Sequence, residues 1–169
     1  MKFYERLNYM HACWEAVKWV GSKSLKTAWR DCPRGDWMLW LAGRLDIDRK
    51  LLVLAACDCA ETALQYVPEG EDRPAAAIQT ARNWCNGTAS IEEVLSAAYD
   101  VDADDAAYDA AYAAAYAAYD ATAYAAYDAA AYAAAYDADA CASTHKTCAD
   151  LVRTRIPYEV AAKAWLGRA

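Results

Sequence analysis

The sequence predicts an all-α fold, a helical bundle that carries a long Ala/Tyr-rich helical segment. In the N-terminal part of the chain, apolar residues recur three and four positions apart, which is the spacing of an amphipathic helix. From Ser90 to Ile156 the chain has neither glycine nor proline and is rich in alanine, the strongest helix former. We expect a helical core over residues 1–90, an Ala/Tyr/Asp-rich helical segment over 91–156 that packs on the core or extends from it, and a C-terminal helix over 157–169.

The first helix is predicted from an apolar seam that ends before Gly21. Its members alternate spacings of four and three along the chain: Phe3, Leu7, Met10, Trp14 and Val17. This pattern predicts one continuous helix. A short helix from Ser24 follows, which carries Leu25 and Trp29 and is ended by Pro33 and Gly35.

Two aspartates are placed to cap the next two helices. Asp36 precedes "WMLWLAGRL", and Asp48 precedes "RKLLVLAACDCAETALQYV". In the second of these, residues 48–67, the polar residues fall on one narrow stripe and apolar residues cover the rest. We therefore expect this helix to lie at the centre of the bundle.

The elements that follow have clear start and stop signals. Pro74 is placed as the first residue of a helix whose Ile78, Ala81 and Cys85 share a face with Trp84 beside them, and the pair "NG" at 86–87 stops it. Ser90 and Glu93 form a capping box for the next helix. Pro157 starts a short final helix that ends at Gly167.

The stretch over residues 106–140 consists almost entirely of alanine, tyrosine and aspartate, and it is predicted to be mostly helical. The sequence leaves two alternatives for its limits: the helix either breaks near 101–105 or frays near Ser143. Four of its tyrosines fall on an arc of about 80° at 100° per residue, namely Tyr108, Tyr112, Tyr116 and Tyr119. Later tyrosines rotate away from that stripe, which favours contacts with more than one partner helix and hence a homo-oligomer. The tyrosines either pack on the bundle or form a contact surface.

Charge is distributed unevenly over the chain, whose net charge is −7. Residues 1–90 carry 12 basic against 11 acidic residues, whereas residues 91–150 carry 1 against 12. Such an acidic segment repels nucleic acid and attracts a basic partner, unless its aspartates serve only to keep the helix soluble. We expect neither a nucleic-acid nor a membrane partner, since no long apolar run is free of charges.

The seven cysteines follow no secretory signal peptide, so we expect free thiols in the reducing cytoplasm. Cys141, His145 and Cys148 share one helical face with Asp150 nearby, a set that zinc can use. Three ligands on one helix without a second cysteine pair form an uncommon arrangement, so buried thiols and a surface histidine are favoured instead. No metal and no cofactor is predicted.

The candidate binding site is the stretch "AWRDCPRGDWMLWLAGRL" at residues 28–45. Trp37 and Trp40 are three apart on one helix, so both indoles can meet the same pocket. They form either part of the bundle core or a site in which indole stacks on a flat ligand or on a partner's side chain. In the second case Arg34 and Arg44 hold an anion, and Asp36 lies among them.

Four stretches, "GDWMLWLAGRL", "DRKLLVLAACDCAETAL", "YVPEGEDRPAAAIQTARNW" and "GTASIEEV", resemble the immunity-protein-5-like family of bacteria and phages. The likeness covers roughly residues 10–98 and implies a small helical inhibitor that neutralises a toxin or effector by binding. The family's alanine-rich tail usually carries arginine and aspartate, whereas tyrosine replaces arginine here. The resemblance implies no catalytic residue.

Two function classes follow. The first is an immunity or inhibitor protein that neutralises a toxin or defence effector by stoichiometric binding, using the acidic Tyr/Asp surface. The alternative is a phage-encoded anti-defence sponge that sequesters a nucleotide-type immune signal at Arg34, Trp37, Trp40 and Arg44. An enzyme is not expected, because the chain has no phosphate loop, paired carboxylates or nucleophile motif.

Overall fold

The computed structural model describes residues 1–62, 64–66, 69–70, 72–99 and 138–167. Within these ranges the chain forms packed α-helices and no strand, which confirms the all-α prediction there. The predicted helix over 106–140, with Tyr108, Tyr112, Tyr116 and Tyr119, lies outside the described residues except for its last three positions. The helices are α1 (Phe3–Tyr9), α2 (Trp14–Val20), α3 (Leu25–Asp31), α4 (Gly35–Arg44), α5 (Arg49–Glu61), α6 (Arg73–Asn86), α7 (Ile91–Tyr99), α8 (Ala138–Arg155) and α9 (Tyr158–Gly167), with a 3₁₀ turn at Leu64–Tyr66.

Helix α5 lies at the centre of the bundle, as its apolar coverage predicts. It packs against α4, α6 and α8. Leu52, Val53 and Cys57 are at most 1% exposed. Its N-terminus is capped as expected, because the Asp48 carboxylate accepts hydrogen bonds from the backbone N–H groups of Lys50 and Leu51.

Helix α8 packs directly on the start of α4. Cys148, Ala149 and Val152 of α8 are buried, and Gly35 makes the close approach possible. A Cβ on Gly35 would lie 2.6 Å from the Cβ of Cys148 and 2.9 Å from the backbone nitrogen of Ala149. Any larger residue at this position would force α4 and α8 apart.

An ionic cluster joins three helices around Asp58 of α5. Its carboxylate accepts hydrogen bonds from Arg155 of α8 and, at 2.7 Å, from Arg82 of α6, which also contacts Glu61. Burial raises the pKa of Asp58, but the hydrogen bonds from Arg155 and Arg82 outweigh it and hold that pKa below its ordinary value. The cluster ties α6 and α8 to the central helix.

Several start and stop signals are confirmed. The Ser24 hydroxyl caps α3 by accepting from the backbone of Thr27. Gly87 ends α6 in the left-handed conformation, with φ 78°. Ser90 and Glu93 exchange the two hydrogen bonds of a capping box.

The prediction of one continuous N-terminal helix is wrong. The chain breaks between α1 and α2, where His11 takes a left-handed φ of 61° and the N–H of Ala12 bonds the carbonyl of Leu7. The break lets α1 pack on α9, where the rings of Phe3 and Trp165 meet 5.0 Å apart. It also turns Trp14 out of the seam, so that this residue is 65% exposed.

Four further boundaries differ from the predictions. Arg34, not Asp36, is the N-cap residue of α4, because the Asp36 side chain pairs with Arg34 and not with the backbone. Helix α5 ends at Glu61, not at residue 67, and the hydroxyl of its C-cap residue Thr62 donates to the carbonyl of Cys59. Helix α6 begins at Arg73, one residue before Pro74, and α8 runs through Ser143 without fraying there.

In the ranges that the structure describes, no helix has both the length and the apolar character needed to cross a membrane.

Candidate functional site

A cavity of about 490 Å³ lies between α1, α2, α3 and α4, and we call it the tryptophan cavity. Its aromatic wall is made by Phe3, Trp19, Trp29, Trp37 and Trp40. Polar side chains also line it, from the break after α1 (His11), from α2 (Glu15) and from the start of α4 (Arg34, Asp36). The break between α1 and α2 forms part of the cavity wall, so the local structure that the apolar pattern did not predict helps to shape the site.

The four indoles of the cavity differ in their hydrogen bonding. Trp29 is buried and donates its indole N–H to the carbonyl of Ile156 at 3.2 Å. Trp19, Trp37 and Trp40 are half-buried, and their N–H groups have no acceptor within the described part of the chain. No buried side-chain nitrogen or oxygen in that part lacks a partner, so these three N–H groups lie at accessible surface. They can donate to a bound molecule.

Trp37 and Trp40 meet the same cavity, as their spacing predicts. Trp37 also contacts Trp19 across the helices, with ring centroids 6.1 Å apart and planes tilted by 54°. Trp19 and Trp37 thus form a tilted aromatic pair in the cavity wall, and a flat group can stack only on ring surface outside this contact.

Each half-buried indole of the cavity has a cation over its ring. Lys23 lies 4.5 Å from the centroid of Trp19 and Arg34 lies 4.9 Å from that of Trp37. Arg44 lies 5.6 Å from the centroid of Trp40 but does not line the cavity. These are ordinary cation–π distances. They place positive charge next to the aromatic surface.

The guanidinium of Arg34 is already ion-paired in this structure, so an anion does not find it available. Its Nε and Nη2 atoms contact the two carboxylate oxygens of Asp36 at 2.9 and 2.7 Å. The expectation that Arg34 holds an anion is therefore modified: any anion at this position competes with Asp36, whose side chain is only 9% exposed.

His145 of α8 lies next to Asp36 but does not line the cavity. Its Nδ1 is 3.9 Å from Asp36 Oδ1, and its side chain is 11% exposed. Burial and the neighbouring Arg34 lower the pKa of His145, while Asp36 raises it, and the net effect is a pKa below the ordinary value of 6.5. His145 is thus a second partner for Asp36 that gains charge when it binds a proton.

Five of the six cysteines whose side chains the structure describes are buried, and Cys13 is exposed. Cys59 and Cys148 are buried, and the Cys59 thiol donates to the Cys148 carbonyl at 3.7 Å. Burial raises the pKa of Cys57 to about 12 and that of Cys32 to about 11, which makes these thiols poor nucleophiles. No metal-binding group of histidine, cysteine or carboxylate side chains forms in the part searched, and the Cys141 side chain lies outside it.

The sequence did not indicate three contributors to this site: Trp19, the break at His11 and His145 next to Asp36. Trp19 lies in α2, apart from Trp37 and Trp40 in the sequence, and the apolar seam continues through the break at His11 without a signal for it. His145 is more than a hundred residues from Asp36, so no local pattern connects them.

Comparison of this chain with protein-family models, with curated proteins and with solved structures gave no match.

Proposed function

We propose that this protein acts by stoichiometric binding and holds a planar small molecule in the tryptophan cavity. The observation that carries the proposal is a volume of about 490 Å³ walled by four indoles. Cavities of about 300–1,000 Å³ that are mainly apolar, with a few convergent polar groups, are typical of small-molecule sites.

The chemistry of the wall favours a heteroaromatic ligand. The indoles that line the cavity offer aromatic surface, and the accessible N–H groups of the three half-buried indoles can donate to a ligand. A nucleobase supplies both a flat face and acceptor atoms. Sequestration of a nucleotide-type signal, as by a phage-encoded sponge of host defence, is the biological role that fits this ligand.

Binding without turnover is the second part of the proposal. Asp36 is ion-paired with Arg34 and has His145 beside it, and Glu15 is an exposed carboxylate. Cys32, the buried thiol in the cavity wall, has its pKa raised to about 11. The free thiols Cys13, Cys32, Cys57, Cys59, Cys85 and Cys148 fit a location in the reducing cytoplasm, which is part of the same proposal.

The test compares Trp37→Ala with Trp14→Ala, a matched control on α2 whose side chain is exposed and does not line the cavity. Adenosine, guanosine and their 3′,5′-cyclic monophosphates are added at a hundredfold excess over the dissociation constant, which stabilises a binding protein by about 2.7 kcal/mol. We expect the thermal midpoint to rise for the wild type and for Trp14→Ala but not for Trp37→Ala, at one ligand per chain and with no new product by chromatography.

The proposal is overturned if none of these compounds raises the midpoint and mass spectrometry finds no small molecule released from the denatured protein. It is also overturned if both tryptophan variants lose the effect equally while each keeps a cooperative unfolding transition.

A second candidate function is the immunity-type role, in which a toxin or effector protein is the target. Two exposed aromatic residues favour it: Tyr9 is 79% and Trp14 is 65% exposed, on either side of the break that lines the cavity. Exposed aromatic residues are typical anchors of a protein interface. The segment over residues 91–150, which carries 12 acidic residues and 1 basic residue, attracts a basic partner by charge.

The immunity-type role predicts a loss of binding in Trp14→Ala, the variant that should be unaffected if the cavity binds the ligand. Trp14→Ala weakens binding of a recovered effector by at least about tenfold, in the range of an interface anchor. Replacing Asp109, Asp120 and Asp128 with Asn slows its association and reduces the dependence on salt. If neither set of changes alters the binding kinetics, measured by surface plasmon resonance, the effector does not use these surfaces.

A further inference from the structure

We infer that the tryptophan cavity takes a planar anion, that Arg34 leaves Asp36 to hold it, and that His145 takes up a proton and replaces Arg34 at Asp36. This inference rests on the proposed function and adds to it the charge of the ligand and the regulation of the site.

The first step is the position of Arg34. Its guanidinium lies over the Trp37 ring, 4.9 Å from the centroid, and lines the cavity. A flat ligand that stacks on the indoles brings any anionic substituent next to this guanidinium. Arginine binds carboxylates and phosphates through the same two-pronged geometry, so the ligand and Asp36 compete for the same face of Arg34.

The second step is the fate of Asp36. With its side chain 9% exposed, the carboxylate has little water to replace Arg34. An unpaired buried carboxylate is unfavourable, so an exchange of partner needs a second cation. His145 is that group, because its Nδ1 already lies 3.9 Å from Asp36 Oδ1, and a small approach makes a hydrogen bond.

The third step is the charge around His145. Arg34 and Asp36 are the charges that act on it from the start of α4. On its own helix Lys146 pairs with Asp150, and on α5, which also packs against α8, Asp58 is held by Arg82 and Arg155. Within the described part of the chain, Arg34 and Asp36 are the charges that shift the pKa of His145.

The sign of the proton linkage follows from this arrangement. In the free protein burial and Arg34 hold the pKa of His145 below 6.5. When the ligand draws Arg34 away, an opposing charge is lost while Asp36 remains, so the pKa of His145 rises. A ligand that raises a pKa binds more tightly as the pH falls, by up to about tenfold per pH unit for one proton.

The experiment uses two probes that differ in charge, adenosine and 3′,5′-cyclic AMP. The phosphodiester of cyclic AMP keeps its single charge between pH 6 and pH 8, so a change in affinity over this range reports on the protein. Calorimetry at both pH values, in buffers of different ionisation enthalpy, should show that cyclic AMP binds more tightly than adenosine and gains affinity at pH 6. It should also show an uptake approaching about one proton per ligand.

Variants separate the roles of the three residues. Arg34→Gln should make cyclic AMP bind no more tightly than adenosine. His145→Gln should remove the gain at pH 6, and Asp36→Asn should tighten cyclic AMP binding at both pH values because the competing carboxylate is gone. Lys146→Gln, an exposed neighbour on α8, is the control and should behave as the wild type. Thermal unfolding confirms that each variant is folded.

The outcomes distinguish this inference from the proposed function. Equal affinity for adenosine and cyclic AMP at both pH values overturns the inference and leaves a binding cavity in place. Tighter binding of cyclic AMP without pH dependence, or with a pH dependence that survives in His145→Gln, overturns the proton exchange. Failure of both compounds to bind overturns the proposed function itself.

Discussion

Replacing Gly35 with alanine should destabilise the protein, although alanine is the better helix former. The new Cβ would lie 2.6 Å from the Cys148 Cβ and 2.8 Å from its carbonyl carbon, whereas carbon atoms in contact sit about 3.5–4.0 Å apart. Helix α4 must therefore move by roughly 1 Å from α8. Such overpacking costs about 1–3 kcal/mol, and the removal of a helical glycine returns at most about 1 kcal/mol.

With an overpacking cost of about 2 kcal/mol, the middle of that range, the net loss is about 1–2 kcal/mol, which lowers the thermal midpoint of a chain of this size by about 2–8 °C. Circular dichroism at 222 nm measures that midpoint. Gly167→Ala in α9 is the matched control, because a Cβ there meets nothing within 4 Å, and its midpoint should stay or rise slightly. A midpoint for Gly35→Ala equal to or above that of the wild type would refute the close packing of α4 on α8.

Three other predictions concern the bundle and its assembly. Leu52→Ala, at a residue 1% exposed, should lower the free energy of unfolding by about 2–5 kcal/mol in urea titrations, whereas exposed Lys50→Ala should change it by less than about 0.5 kcal/mol; similar values for the two would remove α5 from the core. The lowered pKa of Asp58 stabilises the fold above the ordinary value of 3.8, and that stabilisation is lost as the pH falls through the folded pKa. In Asp58→Asn the free energy of unfolding should thus fall less steeply as the pH is lowered. An unchanged pH dependence on the acid side would contradict the role of the ionic cluster. Light scattering at high concentration should give a multiple of the 18.5 kDa chain mass if the protein is a homo-oligomer, and the mass of one chain would contradict that prediction.

Local sequence signals predicted the helix starts correctly where a capping side chain bonds the backbone of its own first turn. Ser24, Asp48 and the Ser90/Glu93 pair cap helices as expected, because a cap depends on residues within one turn. The apolar coverage of α5 predicted its central place, since a helix that is apolar nearly all round needs partners on every side.

The errors arise where contacts between distant residues decide the local structure. The seam of Phe3, Leu7 and Met10 continues through Trp14 in sequence, yet the chain breaks at His11 so that α1 can pack on α9. Asp36 has a good capping position, but the ion pair with Arg34 takes its carboxylate. Neither preference is visible in a window of one or two helical turns.

The candidate site was predictable only where its residues lie close together in the sequence. Trp37 and Trp40 share a helix face, so their common cavity follows from spacing alone. The contribution of Trp19 requires the packing of α2 on α4, and the position of His145 requires the crossing of α8 over Gly35. A glycine at a helix start has several explanations in a sequence, and only the structure shows that this one admits a neighbouring helix.

The measurement that tests the central claim most directly is a titration of the seven indole N–H signals by two-dimensional ¹H–¹⁵N NMR. Single Trp→Phe variants assign each signal, and 3′,5′-cyclic AMP is the probe. If the tryptophan cavity binds this compound, the signals of Trp19, Trp37 and Trp40 move together and saturate at one equivalent, while those of exposed Trp14 and of Trp84 and Trp165, which do not line the cavity, stay in place. Movement confined to Trp14, Trp84 or Trp165, or no movement of any indole signal at saturating ligand, would contradict the assignment of the cavity as the binding site.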